Sequence, residues 1–142
     1  MLLLVEDNPA DVTLLKEALK ESPVPVPLCV LADGEAALAF LHHEGCHQAA
    51  ARPDLVLLDL NLPRLDGLTV LGQMKTESAL KQIPVIILSS SLQPADIAQS
   101  YALGANAYLH KPCELQDYVD MITELIGFWC QRTVLPPCAP GW

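Results

Sequence analysis

Short apolar runs alternate five times with longer segments of mixed polarity. The runs are rich in Val, Ile and Leu, and they cover Leu2 to Val5, Leu28 to Leu31, Leu55 to Leu58, Val85 to Leu88 and Ala107 to Leu109. A strand covered by helices on both faces needs this nearly continuous apolar content, because neither of its sides meets water. The pattern therefore predicts an α/β domain built on a parallel sheet.

Helix start signals follow the apolar runs. Asn8 can cap a helix, Pro9 suits a first turn that needs no amide donor, and Asp11 complements the positive end of the helix dipole. Further helices are predicted from Asp33-Gly34 through about His43 with Gly45 as terminator, after Asp66-Gly67, after Pro94, and from Glu114 to about Cys130.

Five consecutive strand and helix units limit the topology. With right-handed crossovers they close most simply as a doubly wound sheet of flavodoxin-like order, 2-1-3-4-5, between two helical layers. This order makes strands 1, 3, 4 and 5 neighbours. Ligands of such sheets sit beyond the carboxyl ends of the strands, where strands 1 and 3 meet.

The chain length of 142 residues, 51% of them hydrophobic, fits one compact domain. We predict a domain over residues 1–130, followed by a proline-rich arm over residues 131–142. A separate output domain is not expected within these residues.

Charge and cysteine content narrow the class of protein. A formal charge of -9 has the wrong sign for a nucleic-acid surface. No apolar run approaches the roughly 20 residues that cross a bilayer, and Glu6-Asp7 interrupts the first run too early for a signal peptide. The five cysteines form no CxxC pair, which favours reduced thiols. We expect a cytoplasmic protein that binds neither nucleic acid nor membrane.

Polar residues follow the four strands that are predicted to be neighbours. Glu6-Asp7 ends strand 1, Asp59 ends strand 3, Ser89 ends strand 4, and His110-Lys111-Pro112 ends strand 5. Carboxylates that lie close together repel unless they take up protons or share a cation. Oxygen ligands favour Mg²⁺. Asp7, Asp59 and the backbone carbonyl of Asn61 could supply three protein ligands.

This grouping indicates phosphoryl chemistry. A carboxylate that faces a metal ion, a Lys ammonium and a hydroxyl is suited to attack phosphorus and become an acyl phosphate. The cation and Lys111 would neutralise the charge that spreads over the phosphoryl oxygens. Ser89 and Lys111 could then bind the new oxygens, a contact that exists only in the modified state and is therefore suited to a switch.

Four motifs together resemble the receiver domain of two-component response regulators, over residues 1 to about 128. They are Leu3-Leu4-Val5-Glu6-Asp7-Asn8, Pro53-Asp54-Leu55-Val56-Leu57-Leu58-Asp59-Leu60-Asn61-Leu62-Pro63 with Asp66-Gly67, Ile83-Pro84-Val85-Ile86-Ile87-Leu88-Ser89, and Gly104-Ala105-Asn106-Ala107-Tyr108-Leu109-His110-Lys111-Pro112.

The resemblance implies a role for each matching residue. Asp59 would accept a phosphoryl group from a sensor histidine kinase. Glu6 and Asp7 would be the acidic pair that holds Mg²⁺, with the Asn61 carbonyl as a further ligand. The remaining roles are a hydroxyl switch for Ser89, an aromatic switch for Tyr108, a catalytic lysine for Lys111 and a cis peptide bond before Pro112.

Further residues are similar to stand-alone regulators associated with bacterial phytochromes. They are Leu60-Asn61-Leu62-Pro63, Asp96-Ile97 with Ser100-Tyr101, and Phe128-Trp129. The implied kinase partner is a phytochrome. The chain departs from the common family pattern at Glu6, where many receivers have Asp, and at Ser89, where Thr is commoner. These departures suggest a water-mediated metal contact by Glu6 and a looser switch at Ser89.

The sequence also has three alternative interpretations: a phosphate hydrolase, a flavin-binding protein and a non-phosphorylated scaffold. A phosphate hydrolase of the haloacid dehalogenase type needs a general acid two residues after the attacking Asp, where this chain has Asn61. A flavin-binding protein of the same topology needs a phosphate-binding loop after strand 1. A non-phosphorylated scaffold is hard to reconcile with a complete site. We expect a signalling switch that catalyses only its own phosphorylation and dephosphorylation.

The last helix and the arm suggest self-association. Met121, Leu125 and Phe128 widen its apolar stripe, and an apolar, proline-rich stretch from Thr133 to Trp142 follows. Either this stretch is a frayed tail, or it packs on a second copy in a two-fold dimer through helix 4, strand 5, helix 5 and the arm. A downstream protein partner remains unidentified. The His42-His43-Glu44-Gly45-Cys46-His47 segment is interpreted as a surface loop rather than a metal site.

Overall fold

The computed structural model describes residues 1–138 and 142 of the chain. In this part of the chain, five parallel strands form one sheet of order β2-β1-β3-β4-β5, which confirms the predicted fold. The elements are β1 (Leu2–Val5), α1 (Pro9–Lys20), β2 (Leu28–Leu31), α2 (Gly34–Leu41), a 3₁₀ turn (Gly45–His47), β3 (Leu55–Leu58), α3 (Gly67–Thr76), β4 (Val85–Ser89), α4 (Pro94–Ala102), β5 (Ala107–His110), α5 (Leu115–Ile126) and a π-helical segment (Gly127–Arg132).

The strands divide the apolar core into two layers because successive side chains point to opposite faces. Leu3 and Val5 of β1 pack with the buried residues of α2 and α3. Leu2 and Leu4 pack on the other face with α1 and α5. Every residue of β1, β3 and β4 is buried, whereas the edge strands β2 and β5 are half-buried.

The strand register aligns the carboxyl ends of the inner strands. Val5 of β1 lies opposite Leu58 of β3, and Leu58 lies opposite Ile87 of β4. Ser89 of β4 lies opposite His110 of β5. The residues that follow these strands therefore emerge at one edge of the sheet.

The observed helix starts agree with the predicted ones better than the observed helix ends do. Asn8, Asp33 and Asp66 cap α1, α2 and α3 by accepting a backbone N–H bond within each first turn. The predicted end of α2 near His43 is wrong by two residues, because His43 has a left-handed φ of 58° and cannot continue a helix.

The predicted end of α5 near Cys130 also needs correction. Regular α-helix stops at Ile126, and the chain widens into the π-helical segment. There Thr133 donates its backbone N–H to the Phe128 carbonyl, five residues earlier.

The described parts of the arm contact their own domain. Leu135 lines a cavity of about 260 Å³ at the amino end of the sheet, together with Met1 and Pro25. The Trp142 ring meets the His43 ring edge-on, with centroids 4.4 Å apart. Residues 139–141, which belong to the predicted arm, lie outside the described residues. Within the described residues, no helix is both long and apolar enough to cross a membrane.

Gly67 supports the start of α3 by a close backbone approach. A Cβ atom at this position would lie 2.1 Å from the Asp59 carbonyl oxygen. We therefore expect Gly67→Ala to lower the free energy of unfolding by about 2 kcal/mol or more, since backbone must move to relieve the overlap. Urea unfolding followed by circular dichroism measures this change.

Gly127→Ala is the matched control. Gly127 has helical φ and ψ of -58° and -40°, and its Cβ would meet no atom within 4 Å. Alanine there should be neutral or stabilising by up to about 1 kcal/mol, because it reduces the entropy of the unfolded chain. Similar losses in both variants would contradict the steric explanation.

Candidate phosphoacceptor site

Three carboxylates converge at the carboxyl edge of the sheet. Glu6 and Asp7 follow β1 and Asp59 follows β3, and each offers an oxygen within 4.8 Å of the others. The strand pairing continues into these positions, because Glu6 donates its N–H to the Leu31 carbonyl and Asp59 donates to the Val5 carbonyl. Glu6 is only 3% exposed and Asp59 only 7%. The backbone thus brings acidic groups into a partly dry pocket.

Lys111 provides the positive charge at this pocket. Its backbone N–H donates to the Ser89 carbonyl over 2.8 Å, which fixes the start of the loop after β5. Its side chain is 12% exposed. The Nζ atom lies 3.0 Å from Glu6 Oε1, 3.0 Å from Asp11 Oδ2 and 3.1 Å from Asp59 Oδ2. One ammonium therefore binds three carboxylates.

Asp11 is a site residue that the sequence reasoning missed. The sequence assigned it only to the helix dipole, and it does lie in the first turn of α1. The available signal was its spacing four residues after Asp7, since the helix starts at the strand end that carries the acidic pair. The sequence could not show that Lys111, 100 residues later, would reach it.

Burial and the close approach of charged groups shift the pKa values of Glu6 and Lys111. Burial raises the pKa of Glu6 to about 9, and the neighbouring Asp59 and Asp11 add to this increase, while Lys111 opposes it. Burial lowers the pKa of Lys111, but the bond to Glu6 and the charge of Asp59 outweigh that effect and raise it above its ordinary value. Lys111 stays charged, and Glu6 holds a proton more tightly than an exposed glutamate.

The acidic residues face a cavity of about 610 Å³. Its walls include Glu6, Asp7, Asp11, Asp59, Asn61, Ser90 and Lys111. Asn61 donates its backbone N–H to Asp59 Oδ1 over 3.2 Å, which orients that carboxylate. A set of clustered oxygen donors fits a hard divalent cation, so the residues present suit such an ion.

Ser89 and Tyr108 both form hydrogen bonds with the backbone of Ser91, the residue after the cavity-lining Ser90. Ser89 is completely buried, and its hydroxyl accepts the Ser91 backbone N–H over 3.1 Å. The Tyr108 hydroxyl donates to the Ser91 carbonyl over 2.8 Å. The structure therefore gathers Glu6, Asp7, Asp59, Asn61 and Lys111 around one cavity, and it connects Ser89 to Tyr108 through a single backbone unit.

The expectation of a cis peptide bond before Pro112 is wrong for this structure. Among the described residues no peptide bond is cis. A trans bond is favoured for most prolines by about 0.5–1 kcal/mol. Here it is compatible with the Lys111 contacts to all three carboxylates.

The histidine-rich loop forms no metal centre among the described residues. His42 Nε2 lies 2.9 Å from Glu77 Oε2, and Cys46 Sγ lies 3.6 Å from His47 Nε2. In this part of the chain, Glu6, Asp7 and Asp59 are the group whose ligand atoms come close enough to hold an ion.

The sequence matches the response regulator receiver domain over residues 2–123. The chain belongs to this family. It is 43% identical to the response regulator Rcp1 of Synechocystis sp. over 136 residues, which cover 96% of this chain and 92% of that protein. The chain is therefore a response regulator of two-component signalling.

Two solved structures of response regulators have the same fold. The phosphorylated cyanobacterial phytochrome response regulator RcpA superposes with a TM-score of 0.93 at 43% identity, over 96% of this chain and 97% of that one. The Mn²⁺-bound form of Rcp1 also gives a TM-score of 0.93 at 43% identity, over 96% of this chain and 98% of that one. The divalent ion of that relative agrees with the donor set described above.

The raised pKa of Glu6 predicts a pH-dependent stability without metal. Between the ordinary pKa of 4.5 and the folded value of about 9, the folded protein holds a proton that the unfolded chain releases. The free energy of unfolding should therefore fall as the pH rises through this window. Denaturant unfolding in chelator across the same pH range measures the slope.

Glu6→Gln removes this titration but keeps a side-chain oxygen for Lys111. The variant should lose stability less steeply than the parent between pH 5 and 9. Parallel stability curves for the two proteins would show that Glu6 does not carry the effect. A Glu44→Gln variant, changed at an exposed loop residue, controls for the loss of one acidic group.

Proposed function

We propose that a sensor histidine kinase phosphorylates this response regulator on Asp59. The observation that carries this proposal is the contact of Lys111 Nζ with Asp59 Oδ2 at 3.1 Å, inside the cavity that also holds the acidic pair. A buried carboxylate beside a fixed cation can approach an anionic phosphoryl group with less repulsion.

The proposed phosphoryl transfer from a kinase histidine to Asp59 needs only a few side chains of this protein. An oxygen of Asp59 forms a bond to phosphorus, while the bond from phosphorus to the donor histidine nitrogen breaks and that nitrogen keeps the electron pair. Lys111 neutralises part of the charge on the phosphoryl oxygens, and the Asn61 N–H holds the carboxylate in position. The product is an acyl phosphate on Asp59.

We propose Mg²⁺ as the divalent cation of the site. Glu6, Asp7 and Asp59 would hold it, with the backbone carbonyl of Asn61 as a further ligand. When bound, such an ion supplies positive charge to the phosphoryl oxygens in the transition state. Oxygen-only donors support Mg²⁺ over a metal that prefers nitrogen or sulfur.

Ser89 and Tyr108 are the proposed switch. The Ser89 hydroxyl would have to turn in order to donate to a phosphoryl oxygen, and this rotation would disrupt the bond that it now accepts from the Ser91 N–H. Ser91 would then be free to move, and its carbonyl is the acceptor for the Tyr108 hydroxyl. A change at the buried site would thus reach β5 and α4. The catalytic role of the protein is in this view limited to its own phosphorylation and dephosphorylation.

The proposed partners follow from the relatives. RcpA is a phytochrome response regulator by its name, and 43% identity over nearly the whole chain supports a phytochrome-type kinase as the partner here. The output would be contact with a downstream protein. A cytoplasmic location is consistent with the free thiols of Cys29, Cys46, Cys113 and Cys130.

We further propose a homodimer through α4, β5, α5 and the arm. Large apolar side chains are exposed on and after these helices: Tyr101 at 51%, Leu115 at 61%, Phe128 at 58% and Val134 at 95%. Burying such a surface against a second copy would remove apolar area from water. Leu135 and Trp142 contact their own domain in the single chain. Sedimentation tests whether the arm also contacts a second copy.

Phosphorylation can be tested by intact mass. Protein incubated with Mg²⁺ and phosphoramidate should gain one phosphoryl group, and Asp59→Asn should gain none because an amide is a poor nucleophile. Asp33→Asn is the matched control, since Asp33 caps α2 and Asn keeps that cap. Equal labelling of the Asp59 variant, or no adduct in folded parent protein at early quench times, would contradict the proposal.

The dimer is tested by sedimentation of the full chain, a chain ending at Arg132 and Phe128→Ala. In both variants the dissociation constant of the dimer should rise roughly tenfold or more, because each change removes apolar contact area. Lys16→Ala, at an exposed position of α1 outside the proposed interface, should leave the distribution unchanged. A dimer unaffected by either change would rule out this interface.

A further inference from the structure

Asp11 enters the site from helix α1, whereas Glu6, Asp7 and Asp59 follow the ends of strands. It lies in the first turn of α1, with a side chain that is 23% exposed. Its Oδ2 atom is 3.0 Å from Lys111 Nζ, as close as the Glu6 oxygen. It is not a member of the group whose oxygens converge as a cation site, which consists of Glu6, Asp7 and Asp59 among the described residues.

The ammonium of Lys111 has no donor to spare in the unmodified protein. A lysine has three N–H groups. Three carboxylate oxygens lie within hydrogen-bond distance, one each from Glu6, Asp11 and Asp59. A phosphoryl oxygen that approaches while Asp59 is still a carboxylate can therefore bind Lys111 only when one of these acceptors gives up its hydrogen bond.

Asp11 is the acceptor that can be released with the lowest desolvation cost. Its side chain is 23% exposed, whereas those of Glu6 and Asp59 are 3% and 8% exposed. Water can replace the ammonium at a partly exposed carboxylate, but a buried carboxylate would be left without a partner. Asp11 also adds a negative charge next to the place where an anionic group must arrive.

We propose that Asp11 is an internal competitor for Lys111, a positioning residue that restrains phosphorylation of this receiver. In the unmodified state it holds the ammonium through α1, which packs against α5. While a phosphoryl group approaches Asp59, Asp11 must give up the Lys111 N–H that it accepts. The inference rests on the proposed phosphorylation of Asp59, and it assigns this chain a built-in control of how readily that reaction occurs.

The test compares Asp11→Asn with Glu17→Gln. Both remove one negative charge from α1, but Glu17 is exposed and pairs with Lys20 instead of Lys111. The probe is beryllofluoride, a tetrahedral mimic of the phosphoryl group, titrated in the presence of Mg²⁺ and followed by amide NMR. Asp11→Asn should bind it roughly two- to fivefold more tightly than Glu17→Gln, the range expected for one partly exposed ion pair.

Two further measurements separate competition from a structural effect. The affinity for Mg²⁺ alone, measured by calorimetry, should not be higher in Asp11→Asn than in Glu17→Gln, because loss of a negative charge near the cation cluster cannot favour a cation. Asp11→Glu keeps a carboxylate and should restore weaker binding of beryllofluoride. The rate of phosphorylation by phosphoramidate, in which the phosphorus–nitrogen bond breaks and ammonia leaves, should increase in Asp11→Asn alone.

Each result decides the inference. Equal or weaker binding of beryllofluoride by Asp11→Asn relative to Glu17→Gln would overturn it, and so would a parallel increase in Mg²⁺ affinity. If the parent protein neither binds beryllofluoride nor takes up phosphoryl, the proposed function itself fails and the inference falls with it. A phosphorylated parent with an unchanged Asp11→Asn leaves the proposed function intact and removes only the role of Asp11.

Discussion

The ammonium of Lys111 holds together the acidic groups at the carboxyl edge of the sheet. Lys111 Nζ lies between carboxylates from β1, α1 and β3, which would otherwise repel one another in a partly dry pocket. Its positive charge is balanced by more than one negative group, so the pocket retains an excess of negative charge. Burial is the main cause of the raised pKa of Glu6, and the neighbouring acidic groups add to it. The excess negative charge also makes the site suitable for a divalent cation.

The sheet makes this arrangement possible. Parallel strands in register end at the same edge, and continued backbone pairing places Glu6, Asp59 and Lys111 just beyond those ends. Burial of all residues in β1, β3 and β4 between two helical layers makes the base of the site rigid. Gly67 contributes a close backbone approach that no larger residue allows. The charges can therefore remain near one another without relaxing apart.

The neighbouring loop has a different physical character. Ser91 receives contacts from both Ser89 and Tyr108 through its backbone, and these are ordinary neutral hydrogen bonds. Such bonds contribute about 1 kcal/mol each and exchange readily when a stronger, charge-assisted partner is offered. A rigid charged pocket beside a loop held by weaker bonds is the combination that a reversible switch requires.

The sequence by itself determined the strands, the sheet order, most helix starts and the residues at the strand ends, because apolar runs and capping side chains act over a few residues. It did not determine the end of α2, where the left-handed φ of His43 intervenes, or the trans bond before Pro112. Nor could it show the contact of Trp142 with His43 or of Asp11 with Lys111. Those contacts join residues about 100 positions apart, and only the packing of helices on the sheet decides which distant side chains meet.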